Sequence, residues 1–150
     1  VTILSMIGLF NIFGTLTSGY LAQKFSKKLI LSVIYLTRSL VIAIFIFSPP
    51  STFMAIFFGI TFGFLWLSTV PPTMGLVGFI FGTKYIGLLY GIVFLSHQIG
   101  SFFGAYLGGV FHDLYGSYDY AWYISIALSI FAGLIHLPII EKQVKRLQTT

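Results

Sequence analysis

The sequence predicts an all-α membrane protein of five transmembrane helices, and three observations predict it. First, 57% of the 150 residues are hydrophobic and only 7% are charged, whereas a soluble domain typically carries about 25% charged residues. So little charge does not cover the surface of a soluble fold, but lipid tails solvate Leu, Ile and Phe directly. Second, five mostly apolar runs each approach or exceed the ~20 residues that a membrane-crossing helix needs. Third, the basic loop residues occupy only every other gap between those runs.

The elements follow in order. The first span is expected over Val1 to Ala22, the second over Leu29 to Phe47 and the third over Phe53 to Ile80. The fourth is expected over Tyr85 to Phe111 and the fifth over Ala121 to Ile140, with a cytoplasmic tail over 141–150. Each break has a cause. The stretch from Gln23 to Lys28 is too polar for hydrocarbon. Pro49 and Pro50 each remove a backbone donor and end a helix. Gly82-Thr83-Lys84 is a short polar turn, and His112 to Tyr120 carries two aspartates and a glycine. Short gaps make consecutive helices antiparallel neighbours. Val1 opens directly into an apolar run, which is expected of a fragment whose upstream half is missing.

Charge then sets direction. Lys24, Lys27 and Lys28 lie between the first two spans, Lys84 between the third and fourth, and Lys142, Lys145 and Arg146 after the fifth. The other two loops hold no Lys or Arg. By the positive-inside rule the N-terminus faces out and the C-terminus faces the cytoplasm of a multi-pass inner-membrane protein. The net charge of +5 is therefore a topology signal and does not mark a nucleic-acid surface, which needs basic residues clustered on a polar face. The lipid bilayer is the expected partner, nucleic acid is not, and no cofactor is expected.

Polar residues inside spans are the candidate functional groups, because hydrocarbon penalises them. In the first span Asn11 and Thr15 share a face with Ser18. They serve either interhelical hydrogen bonding or solute contact. Arg38, mid-way along the second span, needs a partner. No Asp or Glu lies inside any span, so the partner is a backbone carbonyl, a polar side chain, an absent part of the protein or an anionic ligand. Pro71 and Pro72 interrupt the third span and free backbone carbonyls, as a static kink or a bending point. In the fourth span Gly100, Gly104 and Gly108 recur at four-residue spacing, which lets a neighbouring backbone approach. His97 and Gln98 sit mid-span beside that stripe. His97 is either a proton relay or a neutral packed histidine.

Several chemistries have no residues to run on. There is no cysteine, no G-x-x-x-x-G-K-[ST] loop, no H-E-x-x-H and no pair of acids within a span. No metal site and no enzyme are expected. Ser96 and His97 are adjacent, so on a helix their side chains diverge and make a poor nucleophile–base pair.

The stretch from Gly19 to Lys28 resembles the G-x-L-a-D-r-x-G-r-r loop of the major facilitator superfamily (MFS). Gly19, Leu21, Ala22, Lys24, Lys27 and Lys28 match it, while Gln23 and Ser26 replace the aspartate and the second glycine. The segment from Gly108 to Tyr118 resembles the G-G-x-x-x-D-x-x-G-x-Y stretch of the same family. The surroundings of Tyr35, Arg38, Pro71, Pro72 and His97 resemble its monocarboxylate-transporter-like and oxalate–formate-antiporter-like branch. The resemblance implies helices eight to twelve of a twelve-helix carrier, part of a C-terminal bundle. It implies secondary active transport of a small-molecule substrate by alternating access. It also implies that Asn11, Thr15, Trp66, His97 and Gln98 line a cavity, while Arg38 stands on a peripheral helix. A rival expectation is a small membrane scaffold that does not transport. An odd number of spans and the lack of a starting Met speak against it.

Overall fold

The computed structural model describes residues 2–144. The chain forms six helices: α1 Thr2–Lys24, α2 Lys27–Phe47, α3 Thr52–Trp66, α4 Val70–Phe81, α5 Ile86–Tyr115 and α6 Asp119–His136. α3 and α4 are two halves of one apolar stretch, Thr52–Phe81, so five stretches are long and apolar enough to cross a membrane. The protein is all-helical, with five long apolar spans.

Several ends differ from expectation, each for a local reason. α1 runs on through Gln23 and Lys24. The Lys24 ammonium bonds the Tyr20 hydroxyl one turn back and sits 4.4 Å from that ring, so the long side chain follows the helix to its polar end. α5 continues past Phe111 to Tyr115, where the Gly116 N–H closes the last turn on the His112 carbonyl at 2.8 Å. α6 begins at Asp119, which suits a carboxylate in a helix's first turn. It ends at His136, short of the expected Ile140, because Pro138 offers no N–H and its ring disfavours a helical residue before it. Lys145 and Arg146, with the rest of 145–150, lie outside the described residues.

Packing follows two tight pairs, α1 on α3 and α2 on α6, joined where α2 also meets α3. The core lies at that junction. Ile34, Val41 and Ile42 of α2 meet Phe58, Phe62 and Leu65 of α3. Rings stack through it: Phe45 on Phe58 at 4.2 Å, Phe58 on Phe62 at 4.7 Å, and Trp122 edge-on to Phe58 at 6.0 Å. On the α2–α6 seam, buried Ser32 donates to the Gly133 carbonyl at 2.7 Å.

The α1–α3 pair is the closest approach in the bundle. A β-carbon at Gly14 would lie 1.8 Å from the Phe64 carbonyl oxygen, and one at Gly63 would lie 2.6 Å from the Ile7 Cα. Only glycine allows these backbones to meet. The stripe on α5 behaves otherwise. A β-carbon at Gly100, Gly104 or Gly108 would meet no atom within 4 Å. Among the described residues the close small-residue packing lies between α1 and α3, while α5 packs lightly, chiefly on α4 and α6.

All described loop lysines share one end of the bundle. Lys27 reaches over the Phe79 ring near the end of α4, and Lys28 donates to the Leu137 carbonyl after α6. The Val144 N–H bonds the Ile80 carbonyl at 2.9 Å. There Glu141 crosses back to the start of α2, where its carboxylate accepts from the Ser26 hydroxyl at 2.9 Å and the Lys28 N–H at 2.6 Å. It thereby caps two donors of a helix N-terminus. At the opposite end Ser48–Ser51 and Asp119 border a common crevice with Trp122.

Gly14→Ala forces the α1 and α3 backbones apart and is expected to destabilise the purified protein by about 2 kcal/mol or more. Gly8→Ala, on the same helix with open space around it, is expected to change stability by less than about 0.5 kcal/mol. Thermal unfolding in detergent checks both.

Candidate functional site

The break in the third span builds the site. Leu67, Ser68 and Thr69 fall between the two helices, and Pro71 and Pro72 occupy the first turn of α4. Prolines suit that position because a helix's first N–H groups have no partner within it. The interruption comes one turn earlier and exposes the last carbonyls of α3 and the Leu67 N–H. In hydrocarbon each unsatisfied backbone group costs several kcal/mol.

Side chains from two other helices meet that demand. Arg38 Nη2 donates to the Leu65 carbonyl at 2.6 Å and to the Trp66 carbonyl at 2.9 Å. Asn11 Oδ1 accepts from the Leu67 N–H at 3.0 Å. Ser68, 1% exposed, bonds the Phe64 carbonyl through its hydroxyl. The Val70 N–H closes on the Leu67 carbonyl at 3.0 Å. Of the partners the sequence allows for Arg38, the structure supplies backbone carbonyls. Its Nε remains buried with no partner.

Beside the break lies a cavity of about 730 Å³ between α2, α3, α4, α5 and α6. Arg38, Trp66, His97 and Gly100 line it together, although they come from three separate spans. Tyr35 and His136 line it as well. The Tyr35 ring carries the Arg38 guanidinium at 5.3 Å and stacks on the His136 imidazole at 5.4 Å, so α2 and α6 present a cation, a phenol and a histidine in one group. His136 Nδ1 lies 2.5 Å from the Ala132 carbonyl, which favours the proton on that nitrogen. Thr69, Val70 and Thr73 bring the start of α4 to the wall, where Pro71 and Pro72 have no N–H and the Val70 and Thr73 N–H groups already bond the Leu67 and Thr69 carbonyls. No Asp or Glu lines the cavity. Among the described residues no three His, Cys, Asp or Glu converge to hold a metal.

A profile of the Major Facilitator Superfamily matches residues 2–149. The chain belongs to that superfamily. One relative in it is an uncharacterized MFS-type transporter, YcxA of Bacillus subtilis (strain 168). It is 28% identical over 149 residues, covering 93% of this chain and 36% of that protein. This MFS chain thus spans about a third of that relative's length. No solved structure matches it. Family and helices together make it a multi-pass membrane protein of a transporter class.

The remaining MFS-derived expectations sort by position. Asn11 and Thr15 do not line the cavity. Asn11 holds the break, and the Thr15 hydroxyl bonds the Asn11 carbonyl at 2.8 Å within α1. Their polarity is used on backbone groups of α1 and the break. Gln98 is exposed and outside the lining, since one residue along a helix turns about 100° away from His97. Gly19 faces Pro71, its β-position 3.6 Å from the proline Cβ, so α1 meets the start of α4 there. Sequence reasoning missed Tyr35 and His136 as site residues. Tyr35 had a signal, three residues before Arg38 on one helix face. His136 had one too, as a titratable group in an apolar helix.

Asn11→Ala removes the acceptor of the Leu67 N–H and is expected to cost about 1–3 kcal/mol. Hydrogen exchange should quicken at residues 67–69 and stay unchanged in the α2–α6 seam. Arg38→Gln should act on the same break, so its stability loss and that of Asn11→Ala should be non-additive in a double-mutant cycle.

Proposed function

We propose that this chain is part of a secondary active transporter that carries a small organic anion through the cavity beside the α3–α4 break. One observation carries the reading. An arginine stands at a wall with two histidines, and no Asp or Glu lines the cavity to offset it. Such a wall attracts negative charge, and the half-membrane depth of the break strengthens the attraction because the surroundings screen it little.

Transport proceeds by alternating access. Two helix halves that meet at a three-residue break bend relative to each other with less loss than a continuous helix, since the ladder between them is already open. Arg38 and Asn11 set the angle. An anion that draws Arg38 away from the Leu65 and Trp66 carbonyls releases one side of that clamp. Binding is thereby coupled to bending. His97 stands on the far wall, on α5, and carries the coupling proton in this scheme. The bundle end that gathers Lys24, Lys27, Lys28, Lys84 and Lys142 faces the cytoplasm by the positive-inside rule.

In proteoliposomes of the full-length protein, an inward acid gradient is expected to drive uptake of an organic anion. His97→Ala should abolish the response to the gradient while leaving anion exchange at equal pH. Uptake with unchanged rate and pH dependence would sink the role of His97. Uptake of cations in preference to anions would sink the substrate sign. Direction is tested separately. The described chain has no cysteine, so Lys84→Cys should react with an impermeant thiol reagent only from the cytoplasmic side, and Ser117→Cys only from outside.

A further inference from the structure

We propose that the cavity selects small aromatic carboxylates, with the ring held between Trp66 and the α5 wall and the carboxylate at Arg38. The inference rests on the transporter reading above and narrows it to a substrate class.

Two groups of aromatic residues in this bundle, those of the core and those of the cavity, differ in how they are covered. Those of the core cover one another: Phe45, Phe58, Phe62 and Trp122 all have ring neighbours within about 6 Å, at 4.2, 4.7, 6.0 and 6.1 Å. Those of the cavity leave surface unused. Trp66 is 50% exposed, and its ring meets only Phe62, edge-on at 5.0 Å. Tyr90 has no ring neighbour among the described residues, and Phe94 meets only His97, tilted at 6.1 Å. Tyr90, Phe94 and His97 recur at the four- and three-residue spacing of one helix face. They stand on α5, while Trp66 ends α3, so uncovered ring surface lines the cavity from two elements. A planar ring entering there gains stacked and edge contacts that the protein does not make with itself.

The polar groups choose what the ring carries. Arg38 is the one Lys or Arg in the lining, and no Asp or Glu lines it. The Thr69 hydroxyl stands in the lining as well, whereas those of Thr73, Ser96 and Ser101 already donate to the Thr69, Val93 and His97 carbonyls. A carboxylate pairs with the guanidinium charge. An ammonium group finds no carboxylate to pair with, so amines and amino acids are disfavoured. At about 730 Å³ the space lies within the 300–1,000 Å³ or so usual for small-molecule sites, enough for one ring and a short side chain.

The test uses the full-length protein in lipid nanodiscs and three probes: benzoate, the uncharged benzamide, and cyclohexanecarboxylate, which keeps the charge without the ring. Tryptophan fluorescence of the parent is compared with that of Trp66→Phe. Benzoate is expected to give a saturable change that Trp66→Phe lacks. Affinity should fall on the order of tenfold or more for benzamide and roughly two- to tenfold for cyclohexanecarboxylate. These comparisons need no change at Arg38, which also supports the fold. Arg38→Lys, which keeps the charge, should weaken benzoate less than Arg38→Gln. Equal binding of benzamide overturns recognition of the charge, and equal binding of cyclohexanecarboxylate overturns recognition of the ring. No response to benzoate from a protein that still transports another solute overturns the class and leaves the transporter reading standing. Loss of all transport overturns both.

Discussion

A polypeptide inside hydrocarbon has no water to complete its hydrogen bonds, and this chain interrupts a helix there. Leu65, Trp66 and Leu67 would satisfy their backbone groups within a continuous helix. At the break they cannot, so the rest of the bundle is arranged to supply Arg38 from one side and Asn11 from the other. α2 must lie against the end of α3 for the guanidinium to reach, and α1 must lie close enough for a short amide. The Gly14–Phe64 and Gly63–Ile7 approaches serve the second need. Removing the break would remove the reason for all three.

The same demand explains how a cation comes to stand beside a cavity. An arginine at mid-membrane is unfavourable on its own. The end of α3 offers it two carbonyls at the negative pole of a helix, which stabilises the charge without neutralising it through an acid. The guanidinium is anchored by one nitrogen and keeps its charge. The Tyr35 ring lies against it, and His136 of α6 stacks on Tyr35 in turn. In the proposed transport scheme, structural support and ligand recognition fall on the same side chain.

Much of the fold was legible because hydrophobic length, proline position and loop charge are local quantities. The five spans, the interruption near Pro71 and Pro72, and the loops that hold the lysines all follow from neighbouring residues. What was not legible depends on which helix meets which. The glycine spacing of α5 is indistinguishable in sequence from a packing seam, yet the seam that closes is Gly14 against α3. Asn11 and Thr15 look like cavity residues because polar groups in spans suit a cavity, but an acceptor for one orphan N–H is an equally good use. Arg38, Trp66 and His97 are flagged by polarity or by family likeness. Their meeting in one cavity is a tertiary fact, and so is the addition of His136 from a helix almost a hundred residues further on from Arg38.

Glu141 gives the bundle an order of assembly. The donors it satisfies belong to residues 26 and 28, separated from it by 115 and 113 positions. A ribosome delivers those donors to the membrane surface long before it makes their acceptor. Until the later spans are made, the start of α2 lacks the partners that α4 and the segment after α6 supply. The last stretch of the described chain then ties it down. Within the described residues, the second helix is therefore tied down at its start by chain made after the fifth span.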